Sequence, residues 1–148
     1  MIQGMGNFKY PERLRQLELP TLAYRRNSGD MIVTYKLLSG LYDDQVALHL
    51  DMGTIGQHYT RGNSWKLTVI RCRFDSRKYC FTNRIVNMWN SLPDNVILAN
   101  NVNSLKQFET RLDEFWSDQD IMFDLTAEIT GTGDRSEFKL ETVSESIV

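Results

Sequence analysis

Apolar residues recur at steps of three and four in four stretches of the chain, which is the spacing of one face of an α-helix. The first stretch starts at Pro11, a residue that the first turn of a helix tolerates because no N–H donor is needed there. Pro20 stops this helix after about Glu18. A second helix is expected over residues 21–39, and Gly40 is a typical stop after its last turn.

Two further helices are expected in the second half of the chain. The apolar stripe of the third helix consists of Phe81, Ile85, Met88, Trp89 and Leu92. Thr82 can supply a capping oxygen at its start, and Pro93 prevents its continuation. Ser104 and Gln107 have the spacing of a capping box, which starts a fourth helix that reaches Trp116. Local chemistry therefore explains both ends of the third helix and the start of the fourth.

Between the second and third helices the pattern changes to alternation. Residues 41–63 are rich in glycine and polar side chains and are expected to form a loop. Over residues 65–74 apolar and polar side chains alternate, which predicts a half-buried strand. Residues 75–77 are typical of a turn, and residues 78–82 are expected to return as a second strand. The expected fold class is therefore α+β: mainly α, with about four helices and a small β-hairpin.

Composition favours one soluble domain. The 148 residues are enough for a single core, and no apolar run approaches the roughly 20 residues of a membrane helix. Two cysteines and the absence of a secretory signal pattern favour an intracellular protein, in the nucleus or the cytoplasm. We expect one domain over residues 1–116, followed over residues 117–148 by an acidic, largely disordered tail.

Charge is distributed unevenly along the chain, although the formal net charge is only −2. Up to Trp116 there are 15 lysine and arginine residues against 11 aspartate and glutamate residues; beyond it there are 2 against 8. In the middle of the chain seven cationic residues are accompanied only by Asp75. These are Arg61, Lys66, Arg71, Arg73, Arg77, Lys78 and Arg84. Such a concentration predicts contact with a polyanion, and a solvated arginine-rich face is the alternative interpretation.

Three patterns invite a catalytic, metal-binding or phosphate-binding interpretation, and none has the required spacing. Asp43 and Asp44 directly follow an aromatic residue, whereas polymerase active sites place one residue between, and two-metal chemistry needs a further carboxylate. Residues 60–64 lack the spacing of a phosphate-binding loop. Four side chains that could ligate zinc lack its close pairwise spacing: His49, His58, Cys72 and Cys80. We expect no catalytic residue, no metal site and no cofactor in this chain.

Several short motifs, in the same order, resemble the C-terminal region of reverse transcriptases encoded by non-long-terminal-repeat retrotransposons, of the endonuclease-reverse transcriptase kind. The resemblance extends over roughly residues 2–116. The motifs are PERL at 11–14, LPTLAYRR at 19–26, GDMI at 29–32, YK at 35–36, TRGNS at 60–64, FTNR at 81–84, WNSLP at 89–93, VNSLK at 102–106 and FW at 115–116.

The resemblance implies both what this chain does and what it lacks. In the family, the catalytic palm with its metal-binding aspartates lies upstream of this region, as do the fingers and the endonuclease domain. The parent protein would be an RNA-directed DNA polymerase that uses magnesium, while this chain is expected not to be an enzyme alone. The region would follow the thumb and help to hold template RNA or target DNA. Its expected partners are RNA or DNA and the upstream thumb and palm, with no membrane involved.

The basic middle of the chain and the resemblance both indicate nucleic-acid binding through phosphate contacts, salt-dependent and mostly independent of sequence. The residues expected to make these contacts are Arg61, Lys66, Arg71, Arg73, Arg77, Lys78 and Arg84, with Tyr79 as a base-stacking side chain. Trp89 lies on the apolar stripe and is expected in the core. The asparagines at 83, 87 and 90 either cap neighbouring backbone or reach a partner.

A protein-interaction module, from a decayed or co-opted copy of such an element, is the alternative function. The apolar stripes are more numerous than the core of a small domain absorbs, and exposed apolar surface is typical of docking sites.

Overall fold

The computed structural model describes residues 4–43, 45–52, 63–71, 73–98 and 104–131. The α-helices in these residues are α1 (Tyr10–Gln16), α2 (Leu22–Leu38), α3 (Asp75–Lys78), α4 (Phe81–Ser91), α5 (Asp94–Ile97) and α6 (Ser104–Phe115). A 3₁₀ turn at Asp120–Met122 follows. The mainly helical fold is confirmed: the four longer helices occupy the four predicted stretches, and α3 and α5 are additional single turns.

Side chains and prolines set the helix ends. Thr21 precedes α2, and its hydroxyl oxygen accepts a hydrogen bond from the Tyr24 backbone N–H at 3.1 Å. At the end of α4, Leu92 is extended, as expected for a residue that precedes proline. The predicted cap by Thr82 is wrong, because α4 begins at Phe81, so that Thr82 lies inside the helix and Cys80 occupies the N-cap position without a side-chain cap. The Thr82 hydroxyl instead contacts the Cys80 sulfur at 3.8 Å.

The hydrophobic core lies where α2 packs against α4 and α6. Met31 of α2, Ile85 of α4 and Leu112 of α6 are fully buried. The Tyr35 ring stacks on the Phe108 ring with centroids 4.4 Å apart, which joins α2 to α6 through aromatic contact. The stripe predicted for the third helix therefore faces the core, since Ile85, Trp89 and Leu92 of this stripe are all buried.

The predicted β-hairpin is wrong. The second strand does not form, because residues 75–78 make the helical turn α3 and Phe81 begins α4. Within the predicted first strand, residues 65–74, Leu67 pairs with Met52 through an isolated antiparallel bridge, while Val69 and Ile70 are both exposed. A side chain replaces the missing strand partner: Asn90 donates to the Leu67 carbonyl at 2.9 Å and accepts from the Leu67 N–H at 2.8 Å.

The packed structure continues beyond Trp116. Ile121 is buried, and the Thr21 N–H donates to the Met122 carbonyl at 3.0 Å. The Thr21 hydroxyl also donates to the Ile121 carbonyl. The 3₁₀ turn at Asp120–Met122 thus packs against α2, and residues 132–148 of the expected tail lie outside the described residues.

Tyr24 joins α2 to α6 through a hydrogen bond, and this bond makes the free energy of unfolding depend on pH in the alkaline range. Its buried phenol donates to Asp113 Oδ1 at 3.0 Å. Burial, and then the neighbouring Asp113 carboxylate, raise the pKa of Tyr24 well above that of a free tyrosine. Because the folded-state pKa is the higher one, the stabilisation is present below about pH 10 and is lost as the pH rises further.

Above about pH 10 the free energy of unfolding of the wild type should fall as the pH rises. We expect Tyr24→Phe to make this slope shallower by up to about 1.4 kcal/mol per pH unit. Urea unfolding of both proteins between about pH 9 and pH 12 measures this slope. The exposed Tyr10 supplies the matched control, Tyr10→Phe, which should leave the slope unchanged. Parallel slopes for the wild type and Tyr24→Phe would contradict the role of this phenol.

Candidate nucleic-acid interface

The structure brings several of the predicted contact residues together in one exposed segment around α3. Arg71, Arg73 and Arg77 are exposed and form no ion pair with any described residue, and Tyr79 is also exposed. We call these four residues the basic segment. Lys66 is partly buried. Arg61 and the side chain of Lys78 lie outside what the structure describes.

Arg84, the last predicted phosphate contact, is held inside the fold by Asp30 of α2. Its Nε lies 2.8 Å from one Asp30 carboxylate oxygen, and a terminal nitrogen lies 2.9 Å from the other. The hydrogen bond to Asp30 raises the pKa of Arg84. The guanidinium also lies 5.5 Å from the centroid of the Phe81 ring. Because its charge is already paired in bidentate geometry, Arg84 acts as a structural link between α4 and α2.

Two side chains of α4 anchor the basic segment through its backbone. Asn83 donates to the Arg77 carbonyl at 2.6 Å, and Arg84 donates to the Tyr79 carbonyl at 3.5 Å. Within the segment the Arg77 N–H donates to the Phe74 carbonyl at 3.1 Å. Asn83, like Asn90, therefore serves neighbouring backbone, while Asn87 is exposed. These hydrogen bonds hold the backbone of the basic segment at Arg77 and Tyr79.

Replacing Asp30 with asparagine should test this link, because it leaves the partly buried Arg84 charge without its counter-charge. Asp30 is only 9% exposed. We expect Asp30→Asn to lower the free energy of unfolding by about 1–3 kcal/mol. Urea unfolding measures the loss, with Asp118→Asn at an exposed carboxylate as the control. Equal stability of the two variants would show that the Asp30–Arg84 pair contributes nothing.

A cleft of about 180 Å³ adjoins the basic segment. Its walls carry both apolar and polar side chains: His49, Leu50, Asp51, Leu67, Thr68, Ile70, Thr82, Asn83 and Val86. Ile70 directly precedes Arg71 in the chain, and Asn83 holds the Arg77 carbonyl, so the cleft and the basic segment share one surface.

In the part of the chain that the structure describes, no three histidine, cysteine, aspartate or glutamate side chains form a group that could hold a metal ion. The sequence candidates Asp44, His58, Cys72 and residues 60–62 lie outside that part. Cys80 is exposed, and the hydrogen bond from the Thr82 side chain lowers the pKa of its thiol. Within the described ranges, no helix combines the length and the apolar character needed to cross a membrane.

Phe74 is an exposed aromatic residue of this surface that the sequence pattern did not single out. Its side chain is 73% exposed and belongs to no part of the hydrophobic core. The alternation over residues 65–74 placed it at the end of a strand. The available signal was local: a charged residue precedes it and another follows it, which is unusual for a phenylalanine that packs into a core.

No protein-family model, curated protein or solved structure matches this chain. The resemblance to retrotransposon reverse transcriptases therefore depends on the motifs within residues 2–116 alone.

Proposed function

We propose that this chain binds RNA or DNA through its basic segment, without sequence preference and without catalysing polymerisation by itself. The observation that carries the proposal is the exposure of Arg71, Arg73 and Arg77 within seven consecutive residues, with no ion pair to any side chain that the structure describes. An arginine guanidinium binds phosphate oxygens in bidentate geometry, and closely spaced arginines match the regular phosphates of a nucleic-acid strand. The segment is complementary in charge to a polyanion.

Three other arginines, Arg13, Arg84 and Arg111, make contacts within the fold, which distinguishes them from the three arginines of the basic segment. The Arg13 Nε donates to the Phe8 carbonyl at 2.7 Å ahead of α1. Arg111 donates to the Leu98 carbonyl at 2.6 Å beside α5, and Arg84 is paired with Asp30. The fold uses these cations to satisfy carbonyls and a carboxylate, whereas the three arginines of the basic segment face solvent.

Anchoring of the basic segment also favours binding. Because Asn83 and Arg84 already hold the carbonyls of Arg77 and Tyr79, the backbone needs little further ordering when a ligand arrives. A free loop of the same composition would lose more conformational entropy on binding.

Salt dependence tests the proposal on the unmodified protein. Each phosphate contact to a single strand contributes about −0.7 to the slope of log K against log salt concentration. Three arginines therefore predict a slope near −2, measured by fluorescence anisotropy with a labelled oligonucleotide between about 50 and 300 mM NaCl. No binding at the lowest salt, or a slope near zero, would reject the proposal. Binding to anionic lipid vesicles but not to oligonucleotides would also reject it.

We further infer that the chain is the C-terminal region of a non-long-terminal-repeat retrotransposon reverse transcriptase. The ordered motifs support this origin, and in that setting the basic segment would hold template RNA or target DNA. The magnesium-dependent chemistry would belong to the parent's palm. Sequencing the transcript and genomic DNA upstream of the Met1 codon tests the inference. An in-frame palm with an aromatic-x-Asp-Asp motif would support it, and a promoter or stop codons there would mean a stand-alone domain or a remnant.

A protein-docking role is the second candidate, and the exposed apolar side chains of residues 41–52 favour it. Val46 is 84% exposed, and Leu41, Leu48 and Met52 are also exposed. In a parent polymerase this surface would pack against the upstream thumb. Concentration-dependent association in light scattering, together with no oligonucleotide binding, would favour docking. A monomer that binds oligonucleotides would count against it.

A further inference from the structure

Two exposed aromatic rings flank the arginine-bearing turn α3. Phe74 directly precedes this turn and is 73% exposed, while Tyr79 directly follows it and is 64% exposed. Exposing a phenylalanine ring to water is unfavourable. Phe74 is not part of the hydrophobic core, so packing does not explain a phenylalanine at this position. Exposed aromatic rings beside cationic side chains are the combination with which many proteins bind single-stranded nucleic acid.

We propose that Phe74, together with Tyr79, stacks on unpaired bases, so that the basic segment takes single-stranded nucleic acid in preference to duplex. This proposal depends on the nucleic-acid binding proposed above. A duplex covers the faces of its bases by stacking, whereas a single strand can turn them toward aromatic side chains. Arg73 and Arg77 lie on either side of Phe74 in the chain, so a strand whose base rests on this ring has its phosphates near guanidinium groups.

The backbone around Phe74 is fixed, which is what a stacking residue requires. The Phe74 carbonyl accepts the Arg77 N–H at 3.1 Å, and the Arg77 carbonyl accepts the Asn83 side-chain amide at 2.6 Å. The backbone of Phe74 is therefore linked to α4 through two consecutive hydrogen bonds. Stacking on a side chain whose backbone is held in this way costs less conformational entropy than stacking on one in a mobile loop.

A comparison of four probes separates base stacking from phosphate binding. The probes are a single-stranded oligonucleotide of about 12 nucleotides, as oligo-dT and as oligo-rU, an abasic strand with the same phosphates, and a duplex of equal length. We expect the wild type to bind both single strands more tightly than the abasic strand or the duplex. Phe74→Ala should weaken single-strand binding by roughly 5- to 150-fold and leave abasic-strand binding unchanged.

Two further variants control for folding and for general loss of apolar surface. Val69 is also exposed in the same part of the chain, so Val69→Ala should bind like the wild type. Phe74→Trp keeps an aromatic face and should retain single-strand binding. Because Phe74 is exposed, Phe74→Ala should unfold at nearly the same urea concentration as the wild type.

The outcomes distinguish this proposal from the one on which it depends. If the wild type binds single strand, abasic strand and duplex equally and in a salt-dependent way, nucleic-acid binding stands and base stacking is overturned. Equal losses on the single and abasic strands in Phe74→Ala would overturn stacking as well. If the wild type binds none of the probes, both proposals fall. If the wild type binds one of oligo-dT and oligo-rU more tightly than the other, and Phe74→Ala loses this difference, the result supports stacking. It also identifies the favoured nucleic acid.

Discussion

Replacing Arg71, Arg73 and Arg77 together with alanine should weaken binding to a single-stranded oligonucleotide by roughly 100-fold at about 0.1 M salt and bring its salt dependence close to zero. The size follows from counterion release: each lost phosphate contact removes about 0.7 from the slope, and hence about 0.7 decades of affinity at about 0.1 M. Fluorescence anisotropy over a range of NaCl concentrations measures both quantities. Because the three side chains are exposed, the variant should remain folded.

The matched control removes the same charge from other exposed positions. Arg25 and Arg26 of α2 and Lys106 of α6 are exposed, and Arg25→Ala, Arg26→Ala and Lys106→Ala together change the net charge by the same amount. This control variant loses only long-range attraction, so its affinity should fall only a few-fold, since salt screens charges beyond about 10 Å. Equal losses in the two triple variants would show that net charge, and not the basic segment, is responsible for binding.

Trp89→Ala should produce the largest loss of stability, about 3–5 kcal/mol in the free energy of unfolding. Trp89 is fully buried, and its ring centroid lies 6.0 Å from that of Phe108. Its indole N–H donates to the Trp65 carbonyl at 2.7 Å. Since a domain is typically stable by only about 5–15 kcal/mol, this one truncation removes a large part of the total. Urea unfolding followed by circular dichroism measures it.

Trp89→Phe keeps the prediction testable if the alanine variant does not fold. The phenylalanine retains most of the buried volume and loses the donor, which leaves the Trp65 carbonyl unpaired and should cost about 1–3 kcal/mol. Oligonucleotide affinity of the folded Trp89→Phe protein should equal that of the wild type, because the indole is inside the core. A loss of less than about 1 kcal/mol for alanine, or a specific loss of binding for phenylalanine, would contradict the core placement of Trp89.

Helix positions could be predicted from the sequence because their signals are local. The stretch predicted over residues 21–39 is α2, and the amphipathic stripe that stops at Pro93 is α4. The core position of Trp89 followed from its place on that stripe. A spacing of three and four, a capping threonine and a proline act within one or two turns, so no knowledge of the remaining chain was needed.

The missing hairpin and the packing beyond Trp116 could not be predicted in this way. Alternation over residues 65–74 shows only that a strand would have two different faces. Whether a strand forms depends on a partner, and here the Asn90 side chain supplies both hydrogen bonds of Leu67. Likewise, Ile121 packs into the core, and its carbonyl accepts a hydrogen bond from Thr21, 100 residues earlier. These partners are distant in sequence, so no local pattern identifies them.

The sequence by itself determined the four longer helices, the apolar face of α4 and the concentration of cationic residues in the middle of the chain. Only the tertiary structure decided which of those cations face solvent. Arg77 and Arg84 are the same residue type in the same cationic stretch of sequence. Arg84 nevertheless lies beside Asp30, a carboxylate 54 residues away in the chain, while Arg77 is exposed. The physical reason is that a charge binds an external ligand only where the fold has not already paired it, and pairing is set by packing of α2 against α4.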